Sequence, residues 1–184
     1  MYPDLEFDYF WETTVFLSSW AGFQIRRGKY GSVSSPEKSD GKIKVIFLNA
    51  TDKDQQPGTE EKAKIDWLLK NQTKIIENAL DSLYREYSYI QHEWKEFHGD
   101  KAAERLPDLK TAEELKLIIG EPTIHLHKKI VDQRYYIGIS ASCSWEQEHG
   151  VGWLMLGTET RICDNSDVAL YEWMIDQDAE KLMS

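Results

Sequence analysis

Between Thr59 and Phe97 the apolar residues Ile65, Leu68, Leu69, Ile75, Ile76, Leu80, Leu83, Tyr87, Ile90, Trp94 and Phe97 recur at three- and four-residue steps. That spacing winds into one continuous stripe on a single long helix, and such a stripe is ordinarily core packing. Thr59 stands at the expected N-cap, Glu60 and Glu61 suit the positive end of the helix dipole, and Gly99 after His98 can take the left-handed conformation of a C-terminal cap.

On either side of this helix the pattern changes to alternation. Leu5, Phe7, Tyr9 and Trp11 alternate with Glu6, Asp8, Phe10 and Glu12, which predicts an opening strand, with Val15 to Leu17 continuing the sheet. Gly28 to Gly41 reads as a loop beside the basic residues Arg26, Arg27 and Lys29, whereas Lys42 to Leu48 resumes as a strand. A second, shorter helix is punctuated by Thr111 with Glu114 as a capping box and by Gly120 and Pro122 at its end. Beyond it, Ile124, Leu126 and Ile130 face one way and His125, His127 and Lys129 the other. A turn at Val131-Asp132-Gln133 leads into a strand through Tyr135, Ile137, Ile139, Ala141 and Cys143. Val151 to Leu156 and Thr160 to Ile162 are further strands, and a weakly helical tail starts near Val168.

This order predicts an α+β fold: an antiparallel sheet packed against one long and one short helix on one face. With 41% apolar residues, seven Trp, nine Tyr and six Phe, the chain has the material for a substantial core. Residues 1–184 are expected to form a single globular domain, because neither side of a boundary near residue 58 has enough apolar surface to close alone.

The net charge of −10 argues against nucleic acid and against anionic membranes as partners. No basic leader and no apolar run of spanning length is visible, so a cytoplasmic setting is expected. Cys143 and Cys163, the two cysteines, are then expected as reduced thiols. Asp164, Asp167, Glu172, Asp176, Asp178 and Glu180 form an acidic run without Lys or Arg, either a solubilising surface or a face for a basic protein partner.

Ser142 to Trp153 reads as the tip of a hairpin in which Trp145, Glu148, His149, Gly150 and Gly152 form a structural motif. A nucleophilic alternative would have Cys143 activated by His149 and oriented by Glu148 or Glu146, although alternation puts Cys143 on the apolar face with Ile137 and Ile139. A metal alternative would join His125 and His127, two apart on a strand, with His149 and Cys143. Neither spacing matches an established metal or catalytic pattern, and no cofactor is expected.

Cys143-Ser144-Trp145-Glu146-Gln147-Glu148-His149-Gly150-Val151-Gly152 resembles an uncharacterised family of small bacterial domains carrying a Cys-x-Trp-[Asp/Glu]-x-Glu-His-Gly-x-Gly segment. Leu5-Glu6-Phe7-Asp8 with Trp11, the long helix and the Thr111 to Ile119 segment extend the likeness over most of the chain. Asp164-Asn165-Ser166-Asp167 and a longer tail depart from it. The resemblance implies a fold more than an activity, and a type found among toxin-immunity and interaction modules. A non-enzymatic protein-interaction module, immunity- or inhibitor-like, is therefore the leading expectation; a Cys/His- or metal-dependent hydrolase centred on Cys143 and His149 is the alternative.

Overall fold

Phe7 and Trp11 pack edge to face with ring centroids 5.3 Å apart, and the backbone reverses between them. In the computed structural model, which describes residues 4–183, this opening segment is a hairpin of β1 (Glu6–Asp8) and β2 (Phe10–Phe16), turning at Tyr9 with φ 60°. The alternation that predicts one strand is equally satisfied by the hairpin, because Phe7 and Trp11 share a face in both. β3 (Gln24–Arg27) and β4 (Val33–Lys38) form a separate antiparallel pair where a loop is expected. Mostly exposed, that pair carries no buried apolar alternation to announce it.

β5 (Lys42–Phe47) runs antiparallel to β2 and buries Ile43, Val45 and Phe47. The 40-residue helix α1 (Thr59–His98) follows, its apolar stripe buried from Ile65 to Tyr87. Gly58 takes the N-cap place expected of Thr59, and its N–H donates to Glu61 Oε2 at 2.8 Å. Lys64 was hidden from the sequence pattern. It is fully buried, donates to the His127 carbonyl at 3.1 Å and pairs with Glu60 at 2.9 Å.

After the short helix α2 (Ala102–Arg105), the expected capped helix is a 3₁₀ turn, Ala112–Leu117. Thr111 makes no side-chain cap bond, and Glu114 accepts from the Lys110 N–H at 2.6 Å instead. The chain is drawn into a bridge before an α-helix can develop: Gly120 N–H donates to the Ser142 carbonyl at 2.7 Å, and Ser144 N–H to the Ile118 carbonyl at 2.9 Å.

β6 (Thr123–Val131), β7 (Arg134–Ala141), β8 (Val151–Leu156) and β9 (Glu159–Asp164) then run as an antiparallel meander. Among the described residues the main sheet has seven strands, in the order β1-β2-β5-β6-β7-β8-β9. It is mixed rather than purely antiparallel, since β5 and β6 are parallel. A parallel neighbour needs a crossover connection, and α1 lies between those strands in sequence.

Helices cover both faces, which corrects the one-sided expectation. Leu68, Leu80 and Leu83 of α1 share a core with Ile124, Ile137 and Trp153. On the opposite face Ile175 and Ala179 of α3 (Glu172–Met183) pack with Tyr136, Leu154 and Leu156. A 3₁₀ turn, Ser166–Ala169, leads into α3 and lies against a floor of glycine. A Cβ on Gly138 would collide with the Ala169 carbonyl, and one on Gly152 would stand 2.7 Å from the Asn165 carbonyl oxygen. No helix among the described residues is long and apolar enough to cross a membrane.

Candidate functional site

Cys143 lies in the core beside the 3₁₀ turn's end, bridged at the backbone to Ile119. Its Sγ accepts from the Glu146 N–H at 3.4 Å. Burial pushes the thiol up to about 12, against the lowering influence of the Glu146 and Trp145 backbone, so a neutral solution leaves it protonated and poorly nucleophilic. Glu148 and His149 lie outside on the exposed turn. The thiol is thus buried, while the imidazole that the nucleophilic alternative would pair with it is exposed.

What the hairpin does is fix the chain. Trp145 is only 6% exposed and belongs to the main core. Gly150 has φ 62°, and its N–H donates to the Glu146 carbonyl at 3.0 Å, closing the turn. The His149 carbonyl accepts from Ser166 N–H at 3.0 Å, which ties the hairpin to the glycine-floored turn on the other side of the sheet. His149 therefore has a structural task for its backbone and an exposed ring.

His125 and His127 lie on the face opposite Ile124 and Leu126, which one-sided helix packing would leave uncovered, yet they are 5% and 1% exposed because the Ser166–Ala169 turn and α3 cover them. His127 Nε2 donates to the Ala169 carbonyl at 2.9 Å, while His125 Nε2 bonds the Ser140 hydroxyl at 2.8 Å. Both Nδ1 atoms are buried without a hydrogen-bond partner among the described residues. Desolvation lowers both rings to about 4; His127 adds to the effect on His125, and the Lys64 ammonium to that on His127. Both are neutral packing groups at ordinary pH. His149 is at a different surface, and the described residues contain no group of three or more His, Cys, Asp or Glu placed to hold a metal ion.

The acidic run divides. Asp178 has a side chain 11% exposed and bonds Arg161 at 2.9 Å and the Tyr136 hydroxyl at 2.7 Å. Burial would raise its carboxyl, but the Arg161 and Tyr136 hydrogen bonds outweigh that and hold it below the ordinary Asp value. Asp176 pairs with Lys129 at 2.9 Å. Asp164 Oδ1 accepts from the Asn165 N–H at 2.8 Å, and Asn165 in turn caps the 3₁₀ turn by accepting from Asp167 N–H at 3.0 Å. Glu172 and Glu180 point to solvent as exposed residues.

The run also frames a feature that the helical reading of the tail passed over. Leu170, Tyr171 and Trp173 are exposed together, with Trp173 at 52%, and the Tyr171 and Trp173 rings stack at 6.2 Å. Their adjacency in sequence was the available signal.

A cleft of about 430 Å³ opens on the other side, where Tyr89 and Trp94 of α1 face Trp145 and His149 of the hairpin, with Glu86 and Asp164 at its walls. It brings the sequence motif to a surface, though through His149 and the edge of Trp145 rather than through a thiol.

The family model described as Domain of unknown function (DUF6985) matches residues 11–169, leaving α3 outside the matched span. No curated protein and no solved structure matches the chain. A match over most of the length shows that the chain belongs to this domain-of-unknown-function family, DUF6985.

Proposed function

We propose that this chain is a non-enzymatic bacterial protein-interaction module, immunity- or inhibitor-like, that holds a basic partner protein in the cytoplasm. The observation that carries the reading is the exposed aromatic pair Tyr171 and Trp173, stacked at 6.2 Å beside Leu170 and flanked by the carboxylates of Asp167 and Glu172. Large, stiff aromatic side chains contribute contact area at small entropic cost and are the usual hot spots of protein interfaces. Surrounding carboxylates on a chain of net charge −10 favour a partner of opposite sign and speed the encounter. The buried, protonated thiol of Cys143 favours binding over nucleophilic chemistry.

The test compares the wild-type chain with Tyr171→Ala/Trp173→Ala as bait. A basic protein retained by the first and lost by the second is then purified, and its association is followed kinetically at low and high salt. The expected result is a partner whose affinity falls at least roughly tenfold in the double variant, with an association rate that drops as salt rises. Equal retention by both baits, or an association rate indifferent to salt, would sink the reading.

A further inference from the structure

The main sheet ends in β9, which has six residues, whereas its other edge, β1, has three. Edge strands are ordinarily guarded by being short or by charges that repel a new neighbour. Two of the three charges of β9 are turned back on the molecule, Arg161 bound by Asp178 at 2.9 Å and Glu159 by Arg134 at 3.2 Å, which leaves Asp164 at the strand's end.

Beside this edge runs a groove. A cavity of about 620 Å³ lies between Asn78, Ser82 and Glu86 of α1 and Thr160, Arg161 and Cys163 of β9. The cleft of about 430 Å³ continues it, because Glu86 and Cys163 line both. The walls match in length. From Asn78 to Trp94 a helix rises about 24 Å at ~1.5 Å per residue, and from Glu159 to Asn165 an extended chain covers about 20 Å at ~3.4 Å per residue.

The groove also has a sign. Glu86, Glu146 and Asp164 line it without an ion pair among the described residues, while Arg85 is turned back to the Asp81 carbonyl at 3.2 Å. Cys163, at the junction, has its thiol raised to about 12, by burial first and then by the charges of Asp164 and Glu86. At the far end Tyr89, Trp94 and Trp145 offer aromatic surface beside those carboxylates.

We propose that this groove takes an extended, arginine-bearing segment of a partner protein as an added strand on β9. The backbone of the segment pairs with the open edge, as in other cases where a peptide lies between an edge strand and a helix flank. Alternate side chains enter the groove, and a guanidinium fits the end cleft because it stacks on aromatic faces and forks onto carboxylates. This site is separate from Tyr171 and Trp173 and stands or falls without them.

The test uses an acetylated, amidated peptide of about six residues, the length an extended chain needs to cover the groove, alternating arginine with valine. Amide chemical shifts of the labelled protein locate it. The expected result is binding with shifts concentrated on Glu159 to Asp164. Two further peptides are N-methylated, one at the valines and one at the arginines; alternate N–H groups of a strand point to opposite edges, so the peptide whose methyls face β9 should lose binding and the other keep it, both with the charge unchanged. Glu86 is exposed, so Glu86→Lys folds, and it should weaken the peptide roughly tenfold. Tyr171→Ala/Trp173→Ala should leave the peptide's affinity unchanged. No binding, shifts centred elsewhere, equal binding of the two N-methylated peptides, indifference to Glu86→Lys or loss in the Tyr171/Trp173 variant would each overturn the proposal.

Discussion

Arg161 on the edge strand and Asp178 on the C-terminal helix are joined by hydrogen bonds of 2.9 Å from both Nε and a terminal guanidinium nitrogen, and the same carboxylate receives the Tyr136 hydroxyl. This contact helps fasten α3 to the sheet, alongside the more exposed Lys129–Asp176 pair and the apolar contacts of Ile175 and Ala179.

Asp178→Asn should therefore destabilise the protein by about 2 kcal/mol, the scale of losing charge-assisted hydrogen bonds at a partly buried position. Asp178→Lys should cost more, since it sets two cations against each other. The native carboxyl titrates below the unfolded one, so its contribution is present above the ordinary Asp range and fades as pH falls through the folded pKa. Denaturant melts of both variants with and without α3-reporting Trp173 fluorescence decide it; an unchanged midpoint for Asp178→Lys would mean that the pair is ornamental.

The buried histidines give a second titration window, of the same sign and at higher pH. Their folded pKa near 4 lies below the ordinary 6.5, so the unfolded chain binds more protons between those values and stability is lost as pH falls through that window. Between about pH 7.5 and about pH 5 each ring should remove about 2 kcal/mol. Replacing both, His125→Asn with His127→Gln, should flatten the slope. A wild-type stability equal at the two pH values would show that the rings are solvated.

Much of this was legible in the chain, and the failures share a cause. The α1 stripe was visible because helical periodicity is a local property that Ile65 to Tyr87 repeat many times. His125 and His127 were misread because alternation reports which residues share a face and says nothing of whether another layer covers it. That layer is α3, short, weakly patterned and docked through Asp178, together with the Ser166–Ala169 turn before it, which lies on Gly138. Lys64 and the Arg161–Asp178 pair were unreadable for the same reason: their partners are remote in sequence.

Gly138→Ala tests the glycine floor directly. The added methyl would meet the Ala169 carbonyl, backbone against sheet, so the Ser166–Ala169 turn must lift. A loss of about 3 kcal/mol or more is expected, the upper end for overpacking, and His127 should become accessible as its Ala169 partner moves away. Hydrogen exchange of the imidazole and a denaturant melt measure the two effects; a stability loss under about 1 kcal/mol would show that the turn adapts freely.

The same substitution at two tryptophans separates packing from recognition. Trp145 is 6% exposed in the main core, so Trp145→Ala should cost about 3 to 5 kcal/mol, the usual range for truncating a buried large aromatic. Trp173 is 52% exposed and touches Tyr171, so Trp173→Ala should change stability by no more than about 0.5 kcal/mol, as at an ordinary surface site. Partner capture should follow the reverse order once the Trp145 variant is assayed below its melting transition: retained there and weakened in the Trp173 variant. Equilibrium melts and capture assays run on the same preparations read both quantities. A Trp173 variant that is destabilised as much as the Trp145 variant would make the exposed aromatic pair a packing feature and remove the observation on which the binding role rests.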